Sequence, residues 1–387
     1  MKRLFIEPLD VLMFRSERPF IARESYVAKL GIISPLTFEG ALKSKVLSEF
    51  CKKYNLSLSY FQKRKDKNEN EFKLKALNNE KLKEVLEAIG HPTLNTKSSI
   101  NVLGIFFAEM ENEEEWFIVP NDIVEKEDSD EILMLRPVIK NELKIPGTEC
   151  YPCFSKCSRI KEKKGLMSFK GLINYLYGCK PKKSEFREVP YGNELRTGIS
   201  IEKETKKTRE GYLYNVEFLR LKNWKESWGF ILWYEDDSNL VEGCLKESSL
   251  IRLGGEGKGS ICKKINEVDL SKKFNSSALL NQINKEKRFK LYLASPSYFG
   301  GYKLPTEKLQ KLLGVNNLTL VGALPGKPVY IGGYDFAMNR EKPLRRWVNA
   351  GAVYYYEFDG EIKNNLTFPI KIIDENIDMR CAFIGRW

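Results

Sequence analysis

Along the chain, apolar positions switch between strand-like runs and the helical period of about 3.6 residues, and the order of the switches is the first guide to architecture. Residues 3–14 (Arg-Leu-Phe-Ile-Glu-Pro-Leu-Asp-Val-Leu-Met-Phe) are apolar on both sides of Pro8 and predict one or two strands kinked there, because proline withholds a ladder donor. Ser34 and Pro35 supply a cap and a first-turn proline ahead of Ala41, Leu42, Val46, Leu47 and Phe50, which predicts a helix over about 35–53. A further helix is predicted over 80–89. Tyr212–Leu221 and Trp228–Tyr234 read as strands, Leu240–Lys246 as a short helix and Ile261–Ile265 as a short strand. A polar connector at 267–287 leads to a strand at Arg288–Leu293 and a helix at Thr306–Leu313. Val329–Ile331 and Trp347–Phe358 then read as strands flanking a basic loop. The stretch from about 55 to 210 lacks comparable order and reads as insertions on a smaller scaffold. The expected fold is α+β: an interrupted βαββαβ sandwich over 1–267 carrying the insertions, then a second domain over 285–387.

Composition agrees with a protein that buries a core. At 387 residues with 42% hydrophobic positions, two domains, or one with a large insertion, are expected. Sixty-four Lys and Arg against 52 Asp and Glu leave +12, a field that attracts polyanions, nucleic acid first and anionic membrane second. The membrane alternative is weak, since no apolar run approaches the ~18 residues of a span and the best, Val102–Ala108, is short. Glu7 and Asp10 interrupt what a secretory signal needs, so the expected location is the cytoplasm, with the eight Cys mostly reduced. The charge is also uneven. Residues 109–131 hold eleven carboxylates and one Lys, while 156–187 hold ten cations against two carboxylates and 285–346 twelve against four. The expectation is two basic surfaces facing a polyanion, with the acidic segment turned away toward a basic protein surface.

Three stretches carry candidate chemistry. In Phe14-Arg15-Ser16-Glu17-Arg18-Pro19-Phe20, Arg15 and Arg18 are placed to clamp phosphates and Phe20 to stack a base; a salt-bridged turn is the alternative. The loop Arg252-Leu253-Gly254-Gly255-Glu256-Gly257-Lys258-Gly259 lacks the spacing of a P-loop. Its glycines permit close approach, and Arg252 and Lys258 beside Gly254, Gly255, Gly257 and Gly259 favour phosphate contact over a merely strained turn. From Gly332 to Trp347, Arg340, Lys342, Arg345 and Arg346 fall within seven residues among aromatics, the pattern of a single-strand groove; a solvated hairpin tip is the alternative. Ser295–Lys303, with Tyr298 and Lys303, adds a similar mixture. Cys150, Cys153, Cys157 and Cys179 match no standard zinc spacing and read as clustered thiols. His91, the single histidine, excludes a His-pair mechanism and sits where a helix end needs capping. No carboxylate metal motif or nucleophile elbow is found, so neither catalysis, metal nor cofactor is expected.

Five segments in order, LFIEPLDVLMFRSERPF, SPLTFEGALKSKVL, LGGEGKGS, LYLASPSYFGGYKLP and IGGYDFAMNREKPLRRWVNAGAVYYYEF, resemble the third subunit of the Cmr complex, a type III-B CRISPR effector of the RAMP superfamily and its Cas-five-like group. The resemblance implies two ferredoxin-like (RRM-type) domains, with the glycine loop between a helix and the last strand of the first. It implies an RNA-binding, non-cleaving subunit that holds the repeat-derived 5′ tag of crRNA and touches the large polymerase-like subunit and a backbone RAMP subunit. Arg15 and Arg18 fall in the family's N-terminal motif, Gly254, Gly255, Gly257, Lys258 and Gly259 in its glycine loop, and Arg340–Arg346 in its C-terminal hairpin. A metal-independent endoribonuclease processing crRNA precursors is the alternative, since related RAMP proteins do this on the same fold.

Overall fold

The computed structural model describes residues 1–15, 27–57, 78–146, 148, 150–155, 159–202, 204–222, 227–363 and 366–387. The first half is organised on an antiparallel sheet. Strand β1 (Lys2–Pro8) leads to helix α1 (Pro35–Lys53), then to β2 (Ile100–Glu109) and β3 (Trp228–Asp236), the short helix α2 (Leu240–Cys244), β4 (Ser248–Leu253) and β5 (Lys258–Ile265). In space they run β2-β3-β1-β5-β4, and beyond β2 the sheet continues through Glu115–Ile118, Leu166–Ser168 and Phe186–Arg187. The second half repeats the strand order, with no helix between its third and last main strands among the described residues where the expected βαββαβ order has one. Strand β6 (Arg288–Leu293), helix α3 (Thr306–Leu313), β7 (Asn317–Leu324), β8 (Val353–Asp359), β9 (Ile370–Ile373) and β10 (Asp378–Gly385) form a sheet ordered β7-β8-β6-β10-β9. Each sheet thus places its second, third, first and last main strands side by side, with an added strand outside the last.

The mixed α+β class and most expected elements are present. Helix α1 starts where the sequence places it: Ser34 Oγ accepts from the Leu36 amide at 3.3 Å, Pro35 occupies the first turn, and Phe38, Leu42, Val46 and Phe50 form its buried face. Glu80–Ile89 is a helix capped by Asn79 and ended by Gly90, and the His91 amide donates to the Leu86 carbonyl at 2.9 Å to close it.

Two expectations change. Ile100–Glu109 lies inside the region read as insertion, yet it is a central strand; buried on both faces, it shows a continuous apolar run instead of alternation. The connector at 267–287 is no exposed tether either. It forms helices at Leu270–Phe274 and Ser276–Glu286, which bury Leu270, Phe274, Leu279, Leu280 and Ile283 in the core.

Alternation in β1 and β3 divides the first sheet between two cores. Leu4, Ile6, Phe230 and Leu232 face α1, while Phe5, Ile231 and Trp233 face the second half. There Phe106, Phe117, Trp233 and Phe383 meet edge to face or tilted at 4.6–6.4 Å, so one aromatic core spans both sheets. Two buried polar groups fix the junction. Glu39 of α1 accepts the Val102 amide at 3.0 Å and pairs with Arg380 of β10, whose Nη1 donates to the Val102 carbonyl at 2.9 Å and whose Nε donates to Asp378 at 2.6 Å. Burial alone raises the Glu39 carboxyl; Arg380, Lys43 and the Val102 amide overcome it and hold the group at about 2. The second group is Asp122, which accepts from Tyr175 at 2.9 Å and Tyr355 at 2.7 Å, with Lys290 Nζ 3.3 Å from the centre of the Tyr175 ring. Burial pushes Lys290 down to about 7, against the opposing pull of Asp122.

Two outcomes follow for stability. Arg380→Leu leaves Glu39 buried without its main partner and is expected to cost about 3–5 kcal/mol in urea unfolding at neutral pH. Because the Glu39 carboxyl is depressed, the pair contributes above pH 4.5 and its contribution is lost as pH falls from 4.5 toward 2, so the gap between variant and parent narrows on acidification. Lys290 has the opposite sense. Its folded value near 7 lies below the ordinary 10.5, so the unfolded chain binds the extra proton and the parent gains stability as pH rises from 7 to 10.5. Lys290→Met is expected to melt higher than the parent at pH 7, with the advantage shrinking toward pH 10.

Candidate nucleic-acid interface

The glycine loop joins β4 to β5 as a tight hairpin, with α2 one strand earlier, rather than following a helix directly. Gly254 has φ +73°, and a Cβ there would stand 2.4 Å from the Met13 carbonyl oxygen. That same carbonyl accepts the Gly255 amide at 2.7 Å. These two glycines therefore let the segment after β1 lie directly on the loop, and the Gly255 amide is committed to protein instead of open to a phosphate. Gly257, also at positive φ, would meet the Arg252 side chain at 3.5 Å, and Gly259 abuts Leu9. Arg252 is exposed, while Lys258 is half-buried, its Nζ 3.2 Å from Glu256 and 5.1 Å from the Phe218 ring centre.

Phe218 belongs to an arm of which only one half, Tyr212–Leu221, reads as a strand in the sequence. Tyr191–Ile201 and Thr208–Leu221 form a long hairpin in the β2–β3 connection, and Leu12 exchanges backbone bonds with Leu219 at 2.8–2.9 Å. Arg196 lies 5.2 Å over Phe218. Arg196 and Arg220 also share Asp10, at 3.3 and 3.2 Å, and both bond Glu194, so this arm's cations are matched by carboxylates. Only the charge pattern across two distant segments would have signalled it.

A second arm rises from the equivalent β7–β8 connection. Val329–Ile331 pairs with Arg345–Trp347, and Val329, Ile331 and Trp347 pack on Ile32, Leu36 and Tyr298. Arg345 stacks 4.8 Å over Tyr298, whose ring also tilts against Trp347 at 5.6 Å. Farther out, Tyr334–Asp335 pairs with Arg340–Glu341. Arg340, Lys342, Arg345 and Arg346 are all exposed, and among the described residues none of the four is in an ion pair. Lys303 is likewise exposed, in the loop after Gly300 and Gly301.

The structure brings the glycine loop and this second arm to one stretch of chain. Met13 touches the loop, Phe14 accepts the Gly31 amide at 2.8 Å, exposed Arg15 bridges Leu30, and Ile32 packs on the arm's base. Arg18 and Phe20 lie outside the described residues.

In the basic stretch 156–187 several cations face carboxylates of this chain. Strand Ile123–Lys126 pairs with Ile160–Glu162, which sets its cations against the acidic segment of the same chain. Lys161 meets Asp130 at 2.8 Å, Lys180 meets Glu131 at 3.0 Å, Lys163 pairs with Glu125 and Arg187 with Glu109. Glu115, fully buried, accepts from Arg3 at 2.9 Å and the Trp233 indole at 2.8 Å. The acidic segment thus meets this chain's own cations. Cys150 and Cys153 tuck beneath β7 and β8, where burial, with Asp122 and Cys150, pushes the Cys153 thiol up to about 12, unfavourable for a thiolate ligand. Cys179 is exposed and Cys157 lies outside the described residues, among which no group of three metal-ligating side chains occurs. Among them too, no helix is long and apolar enough to cross a membrane.

The model of the family described as "CRISPR-associated protein (Cas_Cmr3)" matches residues 4–371. Among solved structures, the chain is similar at 17% identity to one of the type III-B Cmr-beta complex bound to cognate target RNA and AMPPnP, with TM-score 0.44, covering 92% of this chain and 86% of that one. A chain of the same complex with cognate target RNA matches at 18% identity, with the same score and coverage. A chain of the apo state matches at 12% identity and TM-score 0.31, covering 69% of this chain and 98% of that one. No curated protein matches the sequence.

The geometry at the loop sets a clear expectation. Gly254→Ala forces a Cβ into the Met13 carbonyl at a positive φ and is expected to cost about 1–3 kcal/mol. Gly259→Ala, which meets the flexible ends of Leu9 at 3.2 Å and Leu250 at 3.9 Å, should cost much less; thermal melts of the two variants check the difference.

Proposed function

This chain belongs to the Cas_Cmr3 family of CRISPR-associated proteins, and on that premise we propose that it is a non-catalytic, RNA-binding subunit of a type III-B Cmr effector complex. The observation that carries the RNA-binding part is the contrast between two basic segments. Lys161, Lys163, Lys180, Lys183 and Arg187 are matched by carboxylates of the same chain, whereas among the described residues Arg340, Lys342, Arg345 and Arg346 stand exposed and in no ion pair, on an arm that also exposes aromatic rings. Unmatched guanidinium and ammonium groups beside exposed rings suit the alternating phosphates and bases of a single strand. Arg15 and Arg252 flank the same stretch of chain as that arm and extend the basic path toward the glycine loop.

Within the complex, we assign to this path the 5′ tag of crRNA, with the large polymerase-like subunit and a backbone RAMP subunit as protein neighbours, in the cytoplasm. The matching strand orders of the two sheets support reading both halves as ferredoxin-like domains. The basic arm binds and orients phosphates; no base, acid or nucleophile is assigned to it.

Fluorescence anisotropy with the purified chain, alone and with the large subunit, tests the assignment. Tighter binding of tagged crRNA than of tagless RNA of equal length is expected, and equal binding overturns it. Incubation with repeat RNA in EDTA is expected to leave the RNA intact; site-specific cleavage favours the endoribonuclease. Arg340→Ala and Lys342→Ala should each lower the slope of log affinity against log salt by about 0.7, while Lys180→Ala, which removes a cation already matched by Glu131, should leave it unchanged.

A further inference from the structure

Phe336, at the tip of the second arm, is 74% exposed, and among the described residues no large apolar side chain is more so. Burial in the protein's own core does not explain it. Nor is its turn loose. Asp335 Oδ1 accepts the Ala337 and Met338 amides at 3.0 and 3.1 Å, and the Tyr334 hydroxyl donates to Asn339 at 2.6 Å across the turn. The Lys342 amide donates to the Gly333 carbonyl at 2.9 Å, closing the ladder below. The Tyr334 ring meets Phe336 nearly edge to face at 5.2 Å and 67°, which braces one side and leaves the rest of the Phe336 surface to solvent. A water-exposed phenyl ring is thus held in place before anything binds it.

From this geometry we infer that Phe336 is a stacking platform for one unpaired base of the bound RNA, with Tyr334 as its brace and Arg340 and Lys342 holding the adjoining phosphates. The inference rests on the RNA-binding assignment above and names the element that reads a base. Charge decides the occupant: four exposed cations, in no ion pair among the described residues, lie within seven residues on the arm that carries the ring, which suits a polyanion better than an apolar protein groove. A braced ring also loses little freedom on binding, so most of the stacking attraction appears as affinity. Two other rings nearby, Tyr298 and Trp347, are unsuited to the task. Tyr298 is already covered by Arg345, and Trp347 is buried in the arm's base.

The test uses the full chain and a fluorescein-labelled single-stranded RNA carrying the tag, with an abasic residue moved along it one position at a time. Phe336→Ala is expected to weaken binding on the order of 10-fold, Phe336→Leu nearly as much, and Phe336→Tyr hardly at all. The salt slope should stay at the parent value, because stacking releases no counterions. One abasic position should cost the parent chain the same factor and cost Phe336→Ala nothing further. Affinity for duplex RNA should not change, and an unaltered melting temperature would confirm that each variant is folded. If Phe336→Ala binds within about twofold of the parent while Arg340→Ala is weakened, the stacking inference is wrong and the RNA-binding assignment stands. If the parent binds no RNA, the assignment itself fails. If Phe336→Ala keeps its RNA affinity but loses association with the large subunit, the ring is a protein anchor and the inference is overturned.

Discussion

A sheet buried on both faces needs a partner on each, and this requirement organises the whole molecule. Leu4 and Ile6 point to α1 while Phe5, between them, points to the second half. Burying one large apolar side chain is worth about 1.5–3 kcal/mol, so the row of Phe5, Phe106, Ile231 and Trp233 makes the second sheet part of the first sheet's stability, not an appended domain. Nonpolar contact alone would tolerate sliding between the halves. The Glu39–Arg380 pair does not, because Val102 offers its amide to one partner and its carbonyl to the other, tying α1, β2 and β10 at a single residue.

Much of this plan is legible in the sequence wherever the signal is local. Ser34-Pro35 followed by apolar positions at helical spacing identifies α1, and Thr306–Leu313 is equally plain. Signals that depend on distant partners are not. A strand buried on both faces, such as Ile100–Glu109, loses its alternation, and the helices at 270–286 need only one apolar stripe, so their polar faces dominate the composition. Segment charge misleads for the same reason. The tally over 156–187 is strongly positive, but Ile160–Glu162 pairs with Ile123–Lys126, and Lys161, Lys163 and Lys180 meet carboxylates 31, 38 and 49 residues earlier. The candidate site divides likewise. Arg340 to Arg346 are adjacent in sequence and visible as a run, whereas Ile32, Leu36 and Tyr298, which seat that run on the protein, come from two other parts of the chain.

The two sheets also share a habit of connection. Each raises its hairpin arm between its second and third main strands: Tyr191–Leu221 from the first and Val329–Trp347 from the second. The arms differ in charge. In the first, Arg196 and Arg220 are balanced by Asp10 and Glu194; in the second, no cation is in an ion pair among the described residues. The two sheets thus share a strand order and differ in the charge of their protruding segments.

The 341 residues between Glu39 and Arg380 set a clock on biosynthesis. At ~5–20 residues per second, a ribosome needs roughly 20–70 s to reach the partner of a carboxylate it has already made. Through that interval the core under the first sheet lacks Met379, Cys381, Ala382, Phe383 and Ile384, and Val268, whose carbonyl accepts from the Met1 amino group, is itself still to come for most of it. The carboxylate in α1 is therefore made long before the cation that neutralises it, and the last of the aromatic core arrives with β10.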